Sequence, residues 1–136
     1  MVRIELGDFL LIAETHAGIS ANRLARIPRV VSLAEAALAA PFAGFGTYEA
    51  FPAVQEKAAI YCSRIVAYHP LPNGNKRTGY DVMREFLDRN DESFTHPPEG
   101  LDGTAQAIED LAANVLSEKD FVAWMLTRVA SAHRAS

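Results

Sequence analysis

The residues of this chain that are best suited to chemistry lie together in one segment, His69 to Thr78. The segment reads His-Pro-Leu-Pro-Asn-Gly-Asn-Lys-Arg-Thr. A loop with a glycine lets several backbone N–H groups converge on one anion, and the positive end of a following helix strengthens the attraction. His69 is the group in this segment that is suited to accept a proton near neutral pH. The segment therefore predicts a phosphate site with a general base beside it.

Two adjacent cations, Lys76 and Arg77, complete the segment. Cations in this position can stabilise the charge that spreads over the oxygens of a transferring phosphoryl group. Both are expected in the first turn of a helix, where the helix dipole opposes positive charge, so an anion is expected to compensate. The alternatives are ordinary solvated charges for the cations, a simple turn for Asn73-Gly74, and a structural histidine at His69.

The elements that must position this segment are predicted to be helices nearly throughout. Before the loop, capping residues and apolar periodicity predict three helical segments and a longer helix that leads into His69. The first segment is expected from Asp8 to Gly18 and the second from Ser20 to Pro28. The third is expected from Ser32, which has capping-box spacing to Glu35, as far as Pro41. The longer helix is expected between Pro52 and Pro70. A stretch of glycines and aromatic residues, 42–51, predicts a loop or short hairpin and is the one place where a strand is expected.

After the loop, a helix is predicted from about Asn75, with Val82, Met83, Phe86 and Leu87 as its apolar stripe. Residues 91–103 contain prolines and glycines and predict a surface connection. A further helix is expected over 105–115, and Ser117 is expected to cap a last one whose core face includes Trp124, Leu126 and Val129. The sequence predicts an all-α bundle of about six helices with one short hairpin.

Length and composition fit one globular domain over residues 1–136. Apolar residues make up 49% of the 136 residues, charged residues 22%, and the net charge is −4, which argues against a direct nucleic-acid binder. No apolar run approaches the roughly 20 residues of a membrane span, and the N-terminus has no secretion signal. The single cysteine, Cys62, fits a reducing compartment and a buried position. These features predict a cytoplasmic protein without a membrane partner.

The motif at 69–78 resembles the signature loop of the Fic/Doc (Fido) superfamily. Its Lys-Arg-Thr ending is similar to the Doc branch, the death-on-curing toxins of toxin–antitoxin pairs. Three further segments, 32–41, 51–69 and 86–90, also resemble Doc-type sequence. The resemblance extends over about residues 4–128 and implies the all-α Fido fold.

The resemblance implies a role for each residue that matches the family's motif. His69 is the general base, Gly74 and Asn75 form the anion hole for nucleotide phosphates, and Arg77 grips phosphate. The residues of the implied target-docking flap, which binds a protein by strand pairing, are Gly44, Phe45, Gly46, Thr47 and Tyr48. ATP is the implied substrate, with Mg²⁺ as its companion ion.

Two positions distinguish the implied branches of the superfamily. Lys76 stands where nucleotidyl-transferring Fic proteins usually have glycine, and Tyr80 stands where they have a second arginine. In Doc-type proteins this pattern is associated with an inverted ATP whose γ-phosphoryl faces the base. The resemblance therefore implies phosphorylation of a protein hydroxyl, with elongation factor Tu as the target and inhibited translation as the result. Adenylylation is the alternative.

One residue of the loop departs from the family pattern in a way that affects metal binding. Asn73 stands where the family has an acidic Mg²⁺ ligand. A neutral amide binds Mg²⁺ more weakly than a carboxylate, and Asp81 is expected too far round the helix to replace it. Leu71 in place of an aromatic residue is expected to affect packing only. A catalytically inactive Fido binding protein is therefore a further alternative.

The sequence also allows expectations about the regulation of the protein and about its other three histidines. Residues 95–100 match the loose pattern of Fic self-inhibitory helices, but two adjacent prolines oppose a helix there. A separate antitoxin protein is therefore the expected restraint. His16, His96 and His133 are expected at dispersed, exposed positions, and their spacing does not indicate a metal site.

Overall fold

A computed structural model describes residues 1–131 of the chain. The predicted all-α fold is confirmed, with seven α-helices in this part rather than about six. They are α1 (Leu6–Ala17), α2 (Ala21–Leu24), α3 (Pro28–Ala39), α4 (Val54–Tyr68), α5 (Asn75–Arg89), α6 (Leu101–Ala112) and α7 (Glu118–Leu126). His133 and the other residues beyond 131 lie outside the described residues.

Two small antiparallel sheets join the helices. Strands β1 (Gly44–Phe45) and β2 (Tyr48–Glu49) form the predicted hairpin, with Phe45 opposite Tyr48. Strand β3 (Glu92–Phe94) pairs with β4 (Val129–Ser131), so the prediction that strand occurs only at 42–51 was wrong. It was wrong because the partners in the second sheet are far apart in sequence, and pairing between distant segments leaves no local signal. Val129 accordingly lies in a strand and not on the last helix.

Helix α4 forms the centre of the core. Its middle is buried on nearly every side, and it packs against α3, α5, α6 and α7. The Tyr61 ring on α4 meets the Phe86 ring on α5 at 4.9 Å between centroids, and both side chains are fully buried. Burial of side chains this large stabilises a fold by about 1.5–3 kcal/mol each. The packing fixes the relative position of α4 and α5, and hence of the loop between them.

Several predicted helix ends are confirmed. Ser20 and Ser117 cap α2 and α7 through their hydroxyls, and Gly18 ends α1 in the left-handed conformation. The loop at 69–74 follows α4 and precedes α5 as expected. Capping residues thus predict the start of a helix reliably where their side chain accepts a hydrogen bond from one of the first free N–H groups.

Other predicted helix bounds were wrong. Asp8 is not the N-cap of α1 but lies within its first turn, where its carboxylate accepts from the Glu5 N–H at 2.9 Å. Pro28 begins α3 instead of ending the helix before it, because proline suits the first helical position, so Ser32 lies inside α3. Pro52 lies ahead of α4, which begins at Val54.

The predicted core was correct at its centre and wrong at its margins. Cys62 is fully buried, and burial raises the pKa of its thiol to about 12. Trp124 is only half-buried, while Val115 and Leu126 are exposed by 76% and 50%. Within residues 1–131 no helix combines the length and apolarity needed to cross a bilayer.

Candidate active site

The loop begins where α4 ends, at His69. His69 adopts the left-handed conformation (φ 52°, ψ 55°), which is uncommon for residues other than glycine. Its N–H donates to the Ile65 carbonyl at 3.1 Å, and its carbonyl accepts from Arg29 Nη1 at 3.3 Å. These two contacts hold the reversal of the chain, and the imidazole lies exposed at the end of α4.

Asn75 determines the shape of the loop from inside. Its side chain is buried, its Oδ1 accepts from the Leu71 N–H at 2.9 Å, and its Nδ2 donates to the Leu71 carbonyl at 2.9 Å. The same Nδ2 lies 3.1 Å from His69 Nδ1. The amide is therefore engaged within the loop, which differs from the expectation that it faces phosphate. The backbone N–H of Asn75 is the group left for an anion.

Gly74 connects the loop to α5 and cannot be replaced without strain. Its φ of 84° is left-handed, and a Cβ at this position would lie 2.6 Å from the backbone oxygen of His16. As the N-cap of α5 it offers no side chain to the first-turn N–H groups. The start of α5 therefore presents several backbone donors and the positive end of the helix dipole, which together attract an anion.

The two cations of the motif have different surroundings. Lys76 Nζ lies 2.9 Å from Glu109 Oε1 on α6, with the two side chains 48% and 58% exposed. Arg77 is exposed and makes no ion pair with any residue in 1–131. The carboxylate of Glu109 is thus the anion that compensates Lys76 here, while Arg77 has its guanidinium available.

His69, Gly74, Asn75 and the two cations line one open cavity of about 600 Å³, which we name the loop cavity. Its walls are formed by His16, Val66, His69, Pro72, Asn73, Gly74, Asn75, Lys76, Arg77 and Ala112. A second cavity of about 500 Å³, the α6 cavity, lies between α5 and α6 and shares His16, Lys76 and Arg77 with the first. The cations therefore lie at the junction of two adjoining cavities that together can hold a ligand with a polyphosphate and a larger organic group.

A family model described as Fic/DOC family matches residues 7–87, which is more than half of the chain. The chain belongs to the Fic/DOC family. No curated protein and no solved structure matched the chain. The matched residues include α1, the β1–β2 hairpin, α4 and the whole loop, and they end within α5. Glu109 and the rest of α6 lie beyond them.

The contact with Asn75 determines which nitrogen of His69 carries the proton in this Fic/DOC protein. Asn75 Nδ2 can only donate, so His69 Nδ1 must be the acceptor and the neutral ring carries its hydrogen on Nε2. A ring in this state has its lone pair directed at Asn75. Rotation of the ring about its Cβ–Cγ bond would present Nδ1 to the cavity, which places a conformational step before any proton transfer.

His16 is part of the site, although it was expected at a dispersed, exposed position. It is partly buried, lines both cavities, and its Nε2 lies 2.5 Å from Asp81 Oδ2 on α5. Sixty-five positions separate the two residues, so no local pattern in the sequence could reveal the pair. His96 is also partly buried rather than exposed, with its Nδ1 2.8 Å from the Thr104 hydroxyl.

The residues around the loop do not fit a resident Mg²⁺ site. Asn73 is exposed and lines the loop cavity, but the cavity wall contains no carboxylate, and Asp81 lies outside it. No group of three or more histidine, cysteine or acidic side chains among residues 1–131 could hold a metal ion. Mg²⁺ prefers charged oxygen ligands, and the loop supplies one neutral amide.

The hairpin of β1 and β2, which we call the flap, lies at the other end of α4. Both strands are exposed, Phe45 by 81% and Tyr48 by 60%, and their rings lie 5.8 Å apart. Gly46 and Thr47 form the turn, and Gly44 lies so close to Tyr48 that a Cβ would clash with its carbonyl. The flap is attached near the start of α4 through Glu49 and Lys57. His69 follows the other end of this helix, and the twelve residues from position 57 to 69 correspond to a rise of about 18 Å along the helix axis.

Proposed function

We propose that this protein transfers the γ-phosphoryl group of ATP to a hydroxyl group of a protein, as a Doc-type toxin. The observation that carries the proposal is the loop cavity, where uncapped N–H groups of α5, Lys76, Arg77 and the His69 imidazole converge. Backbone donors and two cations suit a polyphosphate, and an imidazole at its edge suits proton transfer from an attacking hydroxyl.

The reaction that follows from this arrangement is an in-line displacement. The His69 ring first rotates away from Asn75. The acceptor's O–H bond then breaks as its proton moves to His69 Nδ1, and the oxygen bonds to the γ-phosphorus. The bond from the γ-phosphorus to the bridging oxygen breaks, and ADP leaves. Arg77 and the N–H groups of α5 stabilise the charge on the phosphoryl oxygens. Lys76 joins them once it separates from Glu109.

A protein is the acceptor that can contact both the flap and the loop. An extended segment of about six residues is as long as the rise of about 18 Å along α4 between positions 57 and 69. The exposed edge of the flap suits strand pairing with such a segment. We propose elongation factor Tu as the target, the cytoplasm as the compartment, an antitoxin protein as the restraint, and residues 1–136 as a single Fido domain.

A binding protein without turnover is the second candidate. The absence of a carboxylate from the wall of the loop cavity favours it, as does the pairing of Lys76 with Glu109. Adenylylation is less favoured, because Tyr80 occupies the position of the second arginine and its hydroxyl is held by Arg84 Nη1 at 2.6 Å.

Transfer of label from ATP distinguishes these candidates. The protein is incubated with a bacterial lysate, Mg²⁺ and ATP labelled at either the α or the γ position. We expect label from the γ position alone, and we expect Arg77→Met to reduce it at least about tenfold. Arg26→Met, which removes an exposed arginine that lines neither the loop cavity nor the α6 cavity, is the matched control. Label from the α position would indicate adenylylation, and no label from either would indicate the binding protein.

A further inference from the structure

Lys57 is a buried cation that the proposed reaction does not use. It lies near the start of α4, and its side chain is only 1% exposed. Lysine is almost never buried to this extent unless its ammonium group is paired, because removing a charge from water is costly. The ammonium group must therefore have a structural or chemical reason to be inside the protein.

The partners of Lys57 all belong to the flap and its flanks. Its Nζ lies 3.1 Å from Glu49 Oε1 at the end of β2 and donates to the Phe51 carbonyl just after it. On the other side of the hairpin, Nζ lies 5.2 Å from the centre of the Phe42 ring, which precedes β1. One ammonium group thus contacts both arms of the flap where they join the helical core.

Besides Lys57, the base of the flap is held by Phe42, whose ring packs on Tyr61 and Phe86, but the strands themselves are exposed. Each strand has two residues, and all four are exposed. The Ala50 N–H donates to the Ala43 carbonyl at 3.0 Å and closes the base of the hairpin, but this bond connects the arms to each other and not to the core. An isolated hairpin is at best marginally stable in water, so its orientation depends on how its base is attached.

We infer that Lys57 is the positioning residue of the flap: it fixes the orientation of the hairpin on α4 through Glu49 and Phe51. The functional part of this inference rests on the proposed function, in which the flap docks the protein acceptor. The attachment itself does not depend on that function. Loss of the attachment should weaken acceptor docking and leave nucleotide binding at the distant loop unchanged.

Two variants test the inference, with one control. Lys57→Met keeps the length and the apolar stem of the side chain and removes the ammonium group. Glu49→Gln acts from the half-exposed partner, so the core is not disturbed. Lys119→Met removes an exposed lysine of α7 and is the matched control.

Backbone ¹⁵N relaxation of the full chain is the deciding measurement. In the wild-type protein and in Lys119→Met we expect order parameters of about 0.85 for residues 44–49, typical of rigid backbone. In Lys57→Met we expect the order parameters of residues 44–49 to fall below about 0.6, and in Glu49→Gln we expect them to lie between this value and that of the wild-type protein. The order parameters of α5 should not change in either variant. Rigid flaps in both variants, or a mobile flap in the wild-type protein, would overturn the inference.

A second measurement connects the flap to acceptor docking. Transfer of γ-label is followed at graded lysate concentrations, and the affinity for ADP is measured by calorimetry. We expect the half-saturating lysate concentration to rise at least about threefold in Lys57→Met while the ADP affinity stays within about twofold, a difference of less than 0.5 kcal/mol. If the half-saturating lysate concentration and the dissociation constant for ADP rise by the same factor, Lys57 has a general structural role and the inference is wrong. If the wild-type protein transfers no label, the proposed function fails, and the relaxation data still decide the role of Lys57.

Discussion

Asn75 shows how one buried side chain can prepare a loop for chemistry. Its amide satisfies both the N–H and the carbonyl of Leu71 and also directs Nδ2 at His69. The loop therefore keeps a fixed shape around a histidine whose backbone is in an uncommon conformation. The same contact engages the Nδ1 lone pair of His69 within the loop.

Replacement of Asn75 by alanine tests this role. We expect Asn75→Ala to lower the free energy of unfolding by about 1–3 kcal/mol, because two backbone groups of Leu71 lose their partner. Urea denaturation measures the change, and Asn22→Ala on the exposed side of α2 serves as the control. A change below about 0.5 kcal/mol would mean that the loop does not depend on the amide.

Asn73→Asp tests the metal argument. The substitution places a carboxylate on the wall of the loop cavity, which contains none in the wild-type chain. Because Mg²⁺ binds charged oxygens more tightly than amides, we expect the rate of γ-label transfer to rise at least about tenfold. An unchanged rate at every Mg²⁺ concentration would show that the amide does not limit the reaction.

Glu109→Gln tests whether the partner of Lys76 competes with phosphate. The ion pair is half exposed, and such pairs contribute at most about 1 kcal/mol, so we expect ADP to bind about two- to fivefold more tightly in the variant. The increase in affinity for ADP should be smaller at high salt concentration, since ions screen exposed charges. Calorimetry measures both effects, with Glu35→Gln on α3 as the control. Weaker binding in Glu109→Gln would contradict this competition.

The chemistry of single residues was predictable only where the residues are neighbours in sequence. The motif at 69–78 contains a histidine, a turn and two cations, and seven of its ten residues line the loop cavity. His16 and Glu109 reach the same place from α1 and α6, and only the tertiary packing brings them there. The pairing of Lys76 with Glu109 was not predicted for that reason.

At the scale of elements, the junction of α1 with α5 supports the loop. Gly74 at the start of α5 touches the backbone of His16 near the end of α1, and at the other ends of the two helices Asp8 pairs with Arg89. A hydrogen bond from Arg89 is the main cause that lowers the pKa of the Asp8 carboxyl below its usual value, helped by the Glu5 N–H. The charged form of Asp8 thus favours the folded protein.

The ion pair between Asp8 and Arg89 predicts how the stability of the protein depends on pH. A carboxyl whose folded pKa is lowered contributes stability above its unfolded pKa near 3.8, and the contribution is lost as pH falls through the folded value. We expect Asp8→Asn to be less stable than the wild-type protein at pH 7 and to lose less stability between about pH 4 and pH 2. Thermal denaturation across this range measures the difference, and Asp88→Asn is the exposed control. Parallel pH profiles for Asp8→Asn and the wild-type protein would contradict the assignment.

Helices were easier to predict than strands for a physical reason. A helix closes its hydrogen bonds within four residues, so caps and periodicity are visible in a short window of sequence. Ser20, Ser117 and the apolar stripe of α5 were predicted correctly in this way. The pairing of β3 with β4 depends on two segments more than thirty residues apart, and it was not predicted.

At the scale of the whole molecule, α4 connects the core, the loop and the flap. Its centre is surrounded by other helices, His69 follows its end, and Lys57 attaches the flap near its start. In the proposed function, this arrangement places acceptor docking and phosphate binding at opposite ends of one helix. The distance between the two ends could not be read from the motif, because it follows from the helix that joins them.

Cys62 reports on the integrity of this core. It is fully buried at the centre of α4, and burial raises the pKa of its thiol to about 12, so the reactive thiolate is absent at neutral pH. We expect alkylation by iodoacetamide at pH 8 to require global unfolding and to follow the urea transition monitored by circular dichroism. Rapid alkylation in the absence of urea would show that the core opens locally.

In the proposed function, the start of α5 and the loop before it bind the phosphates of a nucleotide. Titration of the ¹⁵N-labelled protein with ATP, followed by amide chemical shifts, tests it most directly. We predict that the backbone amides of Asn75, Lys76 and Arg77 move most, since they lie at the uncapped end of the helix. Shifts that spare these amides and appear instead around the flap, or around Ser63, Arg64 and Glu118 in the neighbouring cavity, would contradict phosphate binding at the loop.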